Sequence, residues 1–151
     1  MNRYGTIVAA LMLSLPLFAA DASCKGCGAG KLMLQCDYYV ARQGDLSKRH
    51  FCEEYAQIVD VDGASAKAAW YYLLGGKPEK ALDAAMRAYD QGQTFAAGYV
   101  AQALSVLGRG EEAKRYIEPF RKVVKERSYF AKEVNTLKKL YPDADFSTIG
   151  E

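Results

Sequence analysis

Four cysteines and a single histidine are the residues of this chain best suited to chemistry. Cys24, Cys27, Cys36 and Cys52 all fall in the first third, and His50 stands among them. Cys24-Lys25-Gly26-Cys27 has the spacing of haem attachment sites, redox dithiols, zinc sites and short structural disulfides. Haem attachment needs a histidine directly after the second cysteine, and Gly28 stands there. A redox dithiol sits at the N-terminus of a helix behind a strand. Here the pair runs into Gly26-Cys27-Gly28-Ala29-Gly30, with no strand pattern ahead of it. Zinc would draw on all four cysteines, or on three and His50, and an oxidising compartment disfavours it. Structural disulfides are the preferred reading, and a thiol-disulfide redox pair at Cys24 and Cys27 is the alternative. Four cysteines allow three pairings, which spacing alone leaves open.

The rest of the chain carries little catalytic chemistry. His50 and Cys52 are two residues apart, which on a helix points them about 200° from each other. They cannot act as a nucleophile and its base. Gly28-Ala29-Gly30-Lys31 has the last residues of a phosphate loop but lacks the first spaced glycine, the following Ser or Thr and a preceding strand. With one histidine, a multi-histidine metal centre is excluded by count. Glu53-Glu54 and Glu111-Glu112 read as solvated faces and first-turn charges favoured by the helix dipole. The chain is therefore read as a non-enzyme with no cofactor and no metal.

The cysteines gain a context from the N-terminus. Arg3 supplies a positive start, and Thr6 to Phe18 is a 13-residue apolar run broken by Thr6, Ser14 and Pro16. Ala20-Asp21-Ala22 then places small residues where a signal peptidase reads them. Residues 1–22 are expected to be a cleavable signal peptide, giving a mature chain that starts at Ser23. The run is too short for a spanning helix, which needs about 20 apolar residues. Asp21, three residues before Cys24, argues against a lipid anchor. The expected location is periplasmic or secreted from a bacterium, with no membrane span after cleavage, and an even cysteine count fits it.

A chain of 151 residues suits one domain. Hydrophobic residues at 50% and charged residues at 25% match a soluble globular protein. A net charge of +2 argues against a nucleic-acid binder.

The elements that position the cysteines repeat. Gly44, Gly76 and Gly108 are separated twice by 32 residues, each between two apolar helical patterns. A glycine there ends one helix in a left-handed turn. Helical periodicity predicts helices over 32–43 and 46–59, 64–74 and 79–89, and 95–107 and 111–125. A last helix spans 128–140, with Val134, Leu137 and Leu140 on one stripe, and Pro142 and a polar tail over 141–151 follow. Residues 23–30 form a Cys/Gly-rich segment and 31–140 the repeat domain. The fold class is all-α.

Residues 31–125 resemble tetratricopeptide-type helix-turn-helix repeats, including the Sel1-like group. Ala69, Tyr72, Gly76, Ala81 and Ala88 in the second repeat stand where that family has small, aromatic, turn, small and small residues. Ala101, Leu104, Gly108 and Ala113 match in the third, where Phe120 replaces the last small residue after Pro119. The resemblance implies a right-handed stack of three helical hairpins capped by the last helix. It also implies that the first helix of each pair lines a concave face. Tyr38, Arg42, Trp70, Leu73, Tyr99 and Gln102 are then expected on that face as a partner surface. Aromatics and arginine anchor interfaces. Trp70, Tyr71 and Tyr72 span about 200° of helix, so they cannot all face one core.

The first repeat departs from the pattern. Asp37 stands in place of Ala69 and Ala101, and Arg49 in place of Ala81 and Ala113. If these positions face each other, Asp37 and Arg49 form a salt bridge. Cys36 and Cys52 flank that contact and fall within disulfide reach. Arg121, Lys122, Lys125 and Arg127 form a basic edge, read as solvated surface. The function expected is an exported, non-catalytic adaptor or scaffold that binds a protein or peptide on a concave aromatic surface. A small repeat subunit that works only as a homo-oligomer is the other alternative, since three repeats are near the minimum for stability.

Overall fold

The structure is a computed structural model that describes residues 27–125 and 128–150. Among these residues all regular structure is helical. The α-helices are α1 (Cys27–Gln35), α2 (Arg49–Val61), α3 (Ser65–Leu74), α4 (Pro78–Asp90), α5 (Ala97–Val106), α6 (Gly110–Val123) and α7 (Ser128–Leu140). α1 continues into a π-helical segment, Cys36–Arg42, and short 3₁₀ turns at Leu46–Lys48 and Thr94–Ala96 lead into α2 and α5. The expected signal peptide over 1–22, Cys24 and the side chain of Cys27 lie outside the described residues.

From α2 onward the helix ends fall within three residues of the sequence expectation. The first helix differs. It begins at Cys27 rather than Leu32, so 27–30 of the Cys/Gly-rich segment are helical. Ala29, Leu32 and Met33 pack against the core there, which outweighs the low helix propensity of Gly28 and Gly30.

Local chemistry explains the helix ends. Pro78 opens α4 at a position whose N–H has no helical partner. Glu111 and Glu112 sit in the first turn of α6, and Arg121 and Lys122 in the last, as the helix dipole favours. Gly76 and Gly108 have φ of +74° and +73°. At each, two backbone bonds close the helix: Lys77 N–H to Tyr72 O and Gly76 N–H to Leu73 O, then Arg109 N–H to Leu104 O and Gly108 N–H to Ser105 O. At Gly44, φ +71°, the same turn is one residue wider. Asp45 N–H reaches Tyr39 O and Gly44 N–H reaches Val40 O. The π-helical winding of Cys36–Arg42 carries into its own cap.

α2 packs on α3, α3 on α4, α4 on α5 and α5 on α6. Close approach comes from alanine: Ala69, Ala81, Ala101 and Ala113 are all fully buried. Ala66 and Ala88 pack together in a small cluster of their own. Thirty-two residues on, that pairing becomes Gly98 and Phe120. A Cβ on Gly98 would come within 2.7 Å of the Phe120 ring. The large residue at 120 is accommodated by removing the side chain opposite it.

The stretch expected as a polar tail is instead tied down. Phe146 and Ile149 are buried, and the Tyr141 hydroxyl donates to the Leu73 carbonyl. Two apolar residues spaced among polar ones gave too weak a periodic signal to be read as core. No helix among the described residues is long and apolar enough to cross a membrane.

Cys36 and Cys52 are joined by a disulfide with a Cα–Cα distance of 4.9 Å, and both are fully buried. The bond ties the π-helical segment to α2. It spans 16 residues, for which loop-closure entropy gives about 3 kcal/mol.

Candidate functional site

A cleft of ≈ 580 Å³ opens across the π-helical segment, α3, the start of α5 and α7. Asp37, Ala41 and Arg42 of the π-helical segment form one end. Lys67, Trp70 and Tyr71 of α3 follow, then Phe95 and Tyr99 at the start of α5. Tyr129, Lys132, Glu133 and Thr136 of α7 close the other end. Five aromatic rings therefore line one depression. Phe95 and Tyr129 are exposed, whereas Tyr71 is nearly covered.

Each end holds a carboxyl bonded by a tyrosine. At the first, the Tyr71 hydroxyl donates to Asp37 at 3.3 Å. Burial raises the Asp37 carboxyl above its usual range, opposed by the Tyr71 bond and by the charges of Arg42 and Lys67. At the second, the Tyr99 hydroxyl donates to Glu133 Oε1 at 3.3 Å, and Gln102 Nε2 donates to Oε2 at 3.2 Å. Glu133 is only 6% exposed. Burial pushes its carboxyl up to about 7, and the two neutral donors offset this only in part. Burial together with the neighbouring carboxylates pushes the phenols of Tyr71, Tyr99 and Tyr129 up, so all three are protonated donors.

The structure separates the residues expected on the concave face. Arg42, Trp70 and Tyr99 line the cleft. Tyr38 is exposed but outside it, with its ring 5.1 Å from Tyr39 and edge-on. Leu73 and Gln102 are fully buried, which corrects their placement on an accessible surface. α3 lies between α2 and α4 and also meets α5, so its Leu73 side has no solvent face. Gln102 instead sits behind Glu133 as its hydrogen-bond donor. In the aromatic triplet, Tyr71 and Tyr72 are buried and Trp70 is the partly exposed ring that faces the cleft.

The expected Asp37–Arg49 salt bridge is replaced by other contacts. Wide π-helical turns carry Asp37 toward α3 and Tyr71. Arg49, the first residue of α2, reaches past Gly76 to donate Nη2 to the Leu140 carbonyl at 3.1 Å. Its guanidinium lies 4.7 Å from the Tyr141 ring centre. Gly76 matters here, since a Cβ would come within 3.0 Å of the Arg49 guanidinium.

Glu133, Lys67, Phe95 and Tyr129 were not singled out by sequence reasoning. A signal existed for Glu133. Asp37, Ala69 and Ala101 are spaced by 32 residues, and one further step lands on Glu133. No group of three His, Cys, Asp or Glu among the described residues is arranged to hold a metal ion. No protein-family model, no curated protein and no solved structure matches the chain.

Proposed function

We propose that this chain is an exported, non-catalytic module that binds a protein or peptide in the cleft. In this reading the helices are three tetratricopeptide-type hairpins closed by α7. The equal spacing of three left-handed glycines and the buried alanine contacts support that description. The Cys36–Cys52 bond and the apolar leader support export.

One observation carries the functional reading. The aromatic rings of Trp70, Tyr71, Phe95, Tyr99 and Tyr129 all line one open cleft, Phe95 and Tyr129 being exposed there while Tyr71 also belongs to the core. Rigid rings on fixed helices are suited to anchor an extended segment. The test is site-specific photocrosslinking. p-Benzoylphenylalanine at Phe95, inside the cleft, should capture a discrete partner peptide, and Trp70→Ala should abolish the capture. The same group at Val61, outside the cleft, should capture nothing in common with it. Equal capture at both positions, or capture unaffected by Trp70→Ala, would show that the cleft is not the docking surface.

A further inference from the structure

The two ends of the cleft differ in what they lack. Around Glu133 the polar inventory is short of cations. Its hydrogen-bond partners are a phenol and an amide, both neutral, and no charge among the described residues offsets its burial. Behind it, Gln102 Oε1 is a buried acceptor with no donor. The groups that face Glu133 are Tyr99 and Gln102 from α5 and Tyr129 from its own helix. All are uncharged. The walls beside it are the rings of Phe95, Tyr99 and Tyr129.

A buried carboxylate without a counter-ion is costly, and it is relieved either by taking up a proton or by pairing with a cation. Aromatic faces attract the same kind of group, and the attraction grows as the cation is desolvated. We propose that the Glu133 end of the cleft is a receptor for a cationic side chain, a lysine or arginine presented by the bound peptide. This rests on the peptide-binding reading above and names the group that reading must place at the α7 end. The opposite choice, an acidic ligand, would have to use Arg42, Lys67 and Lys132. Those cations stand at the exposed rim, where ion pairs are worth little. Two are already engaged: Arg42 and Lys67 offset Asp37, and the Lys67 ammonium lies 5.1 Å from the Tyr55 ring centre.

The inference is tested with four capped amino-acid probes, the N-acetyl N-methylamides of lysine, arginine, norleucine and glutamate. Binding is read by NMR from the ring signals of Trp70, Tyr99 and Tyr129. Affinities in the millimolar range are expected for fragments this small. The lysine and arginine probes should bind about tenfold more tightly than norleucine, which matches lysine in shape but not in charge. Glu133→Gln keeps the hydrogen-bonding shape and should erase that preference while leaving the fold intact. Asp37→Asn should leave most of the preference in place. Equal binding of lysine and norleucine, tighter binding of glutamate, or no binding by any probe would overturn the inference. Crosslinking of a peptide in the cleft without a lysine preference would overturn this inference alone. A lysine preference with crosslinks elsewhere would instead overturn the docking reading and leave the cation pocket standing.

Discussion

Asp37 and Glu133 occupy the two ends of one cleft and carry the same device, a carboxyl held by a tyrosine hydroxyl at 3.3 Å. They also occupy equivalent positions of the 32-residue spacing, with Ala69 and Ala101 between them. Their electrostatics nonetheless diverge. Asp37 is partly exposed and has Arg42 and Lys67 within reach. Glu133 is buried and has only neutral donors. Residue type and hydrogen-bond partner are nearly matched, so burial and counter-ions account for the difference. At the two middle steps of that spacing, Ala69 and Ala101 are fully buried.

The largest effect is expected from cutting the support under the Asp37 end. Replacing Cys36 and Cys52 with serine removes a 16-residue loop closure. Chemical denaturation should show a loss of about 3 kcal/mol. The Glu133 end should keep its raised carboxyl in that variant, because the disulfide joins the π-helical segment to α2 whereas Glu133 is held by Tyr99 and Gln102 of α5. A parallel fall in the Glu133 titration midpoint would mean the two ends are one cooperative unit.

An effect of similar size should appear as a pH slope. The native Glu133 carboxyl titrates near 7, above its unfolded value of 4.5. Between those values the native state binds more protons than the unfolded state. Stability from this group is therefore greatest below about pH 4.5 and declines as pH rises through 7, by roughly 3 kcal/mol. Glu133→Gln should flatten that slope and raise stability at pH 8, measured by urea denaturation across the range. Asp37→Asn should change the slope little, because its carboxyl is partly exposed and has cations nearby.

Packing beside Tyr99 gives a third comparison. Gly98→Ala places a Cβ within 2.7 Å of the Phe120 ring, so that ring must move. A loss of about 1–3 kcal/mol is expected from thermal unfolding. The smallest effect belongs to Asp37→Asn, under about 1 kcal/mol, since the Tyr71 bond is long and partly exposed.

Much of the helical framework was legible in the sequence, because glycine spacing and apolar periodicity are local signals. Gly76 and Gly108 close their helices as that spacing implies. Cys36 and Cys52 were read as within disulfide reach while the pairing stayed open, and the structure joins them. What failed depended on geometry no local pattern records. The π-helical winding of Cys36–Arg42 redirects Asp37 away from Arg49. The tail folds back through Tyr141, Phe146 and Ile149, and so gives Arg49 a carbonyl and a ring to meet. Gln102 and Leu73 were placed on the accessible side because the repeat alignment put them on the expected concave face. The cleft admits Trp70 and Tyr99, whereas Leu73 and Gln102 one turn on are buried. Glu133 escaped notice because α7 was read as a cap, although the repeat spacing reaches it.

The most direct test is to titrate both carboxyls by ¹³C NMR in protein labelled at Asp and Glu, first alone and then with N-acetyl-lysine N-methylamide. Glu133 should titrate near 7 in the free protein and well below that once the ammonium is present, while Asp37 shifts little. A Glu133 midpoint in the ordinary carboxylate range, or one unmoved by the probe, would contradict an uncompensated acidic pocket at the α7 end of the cleft.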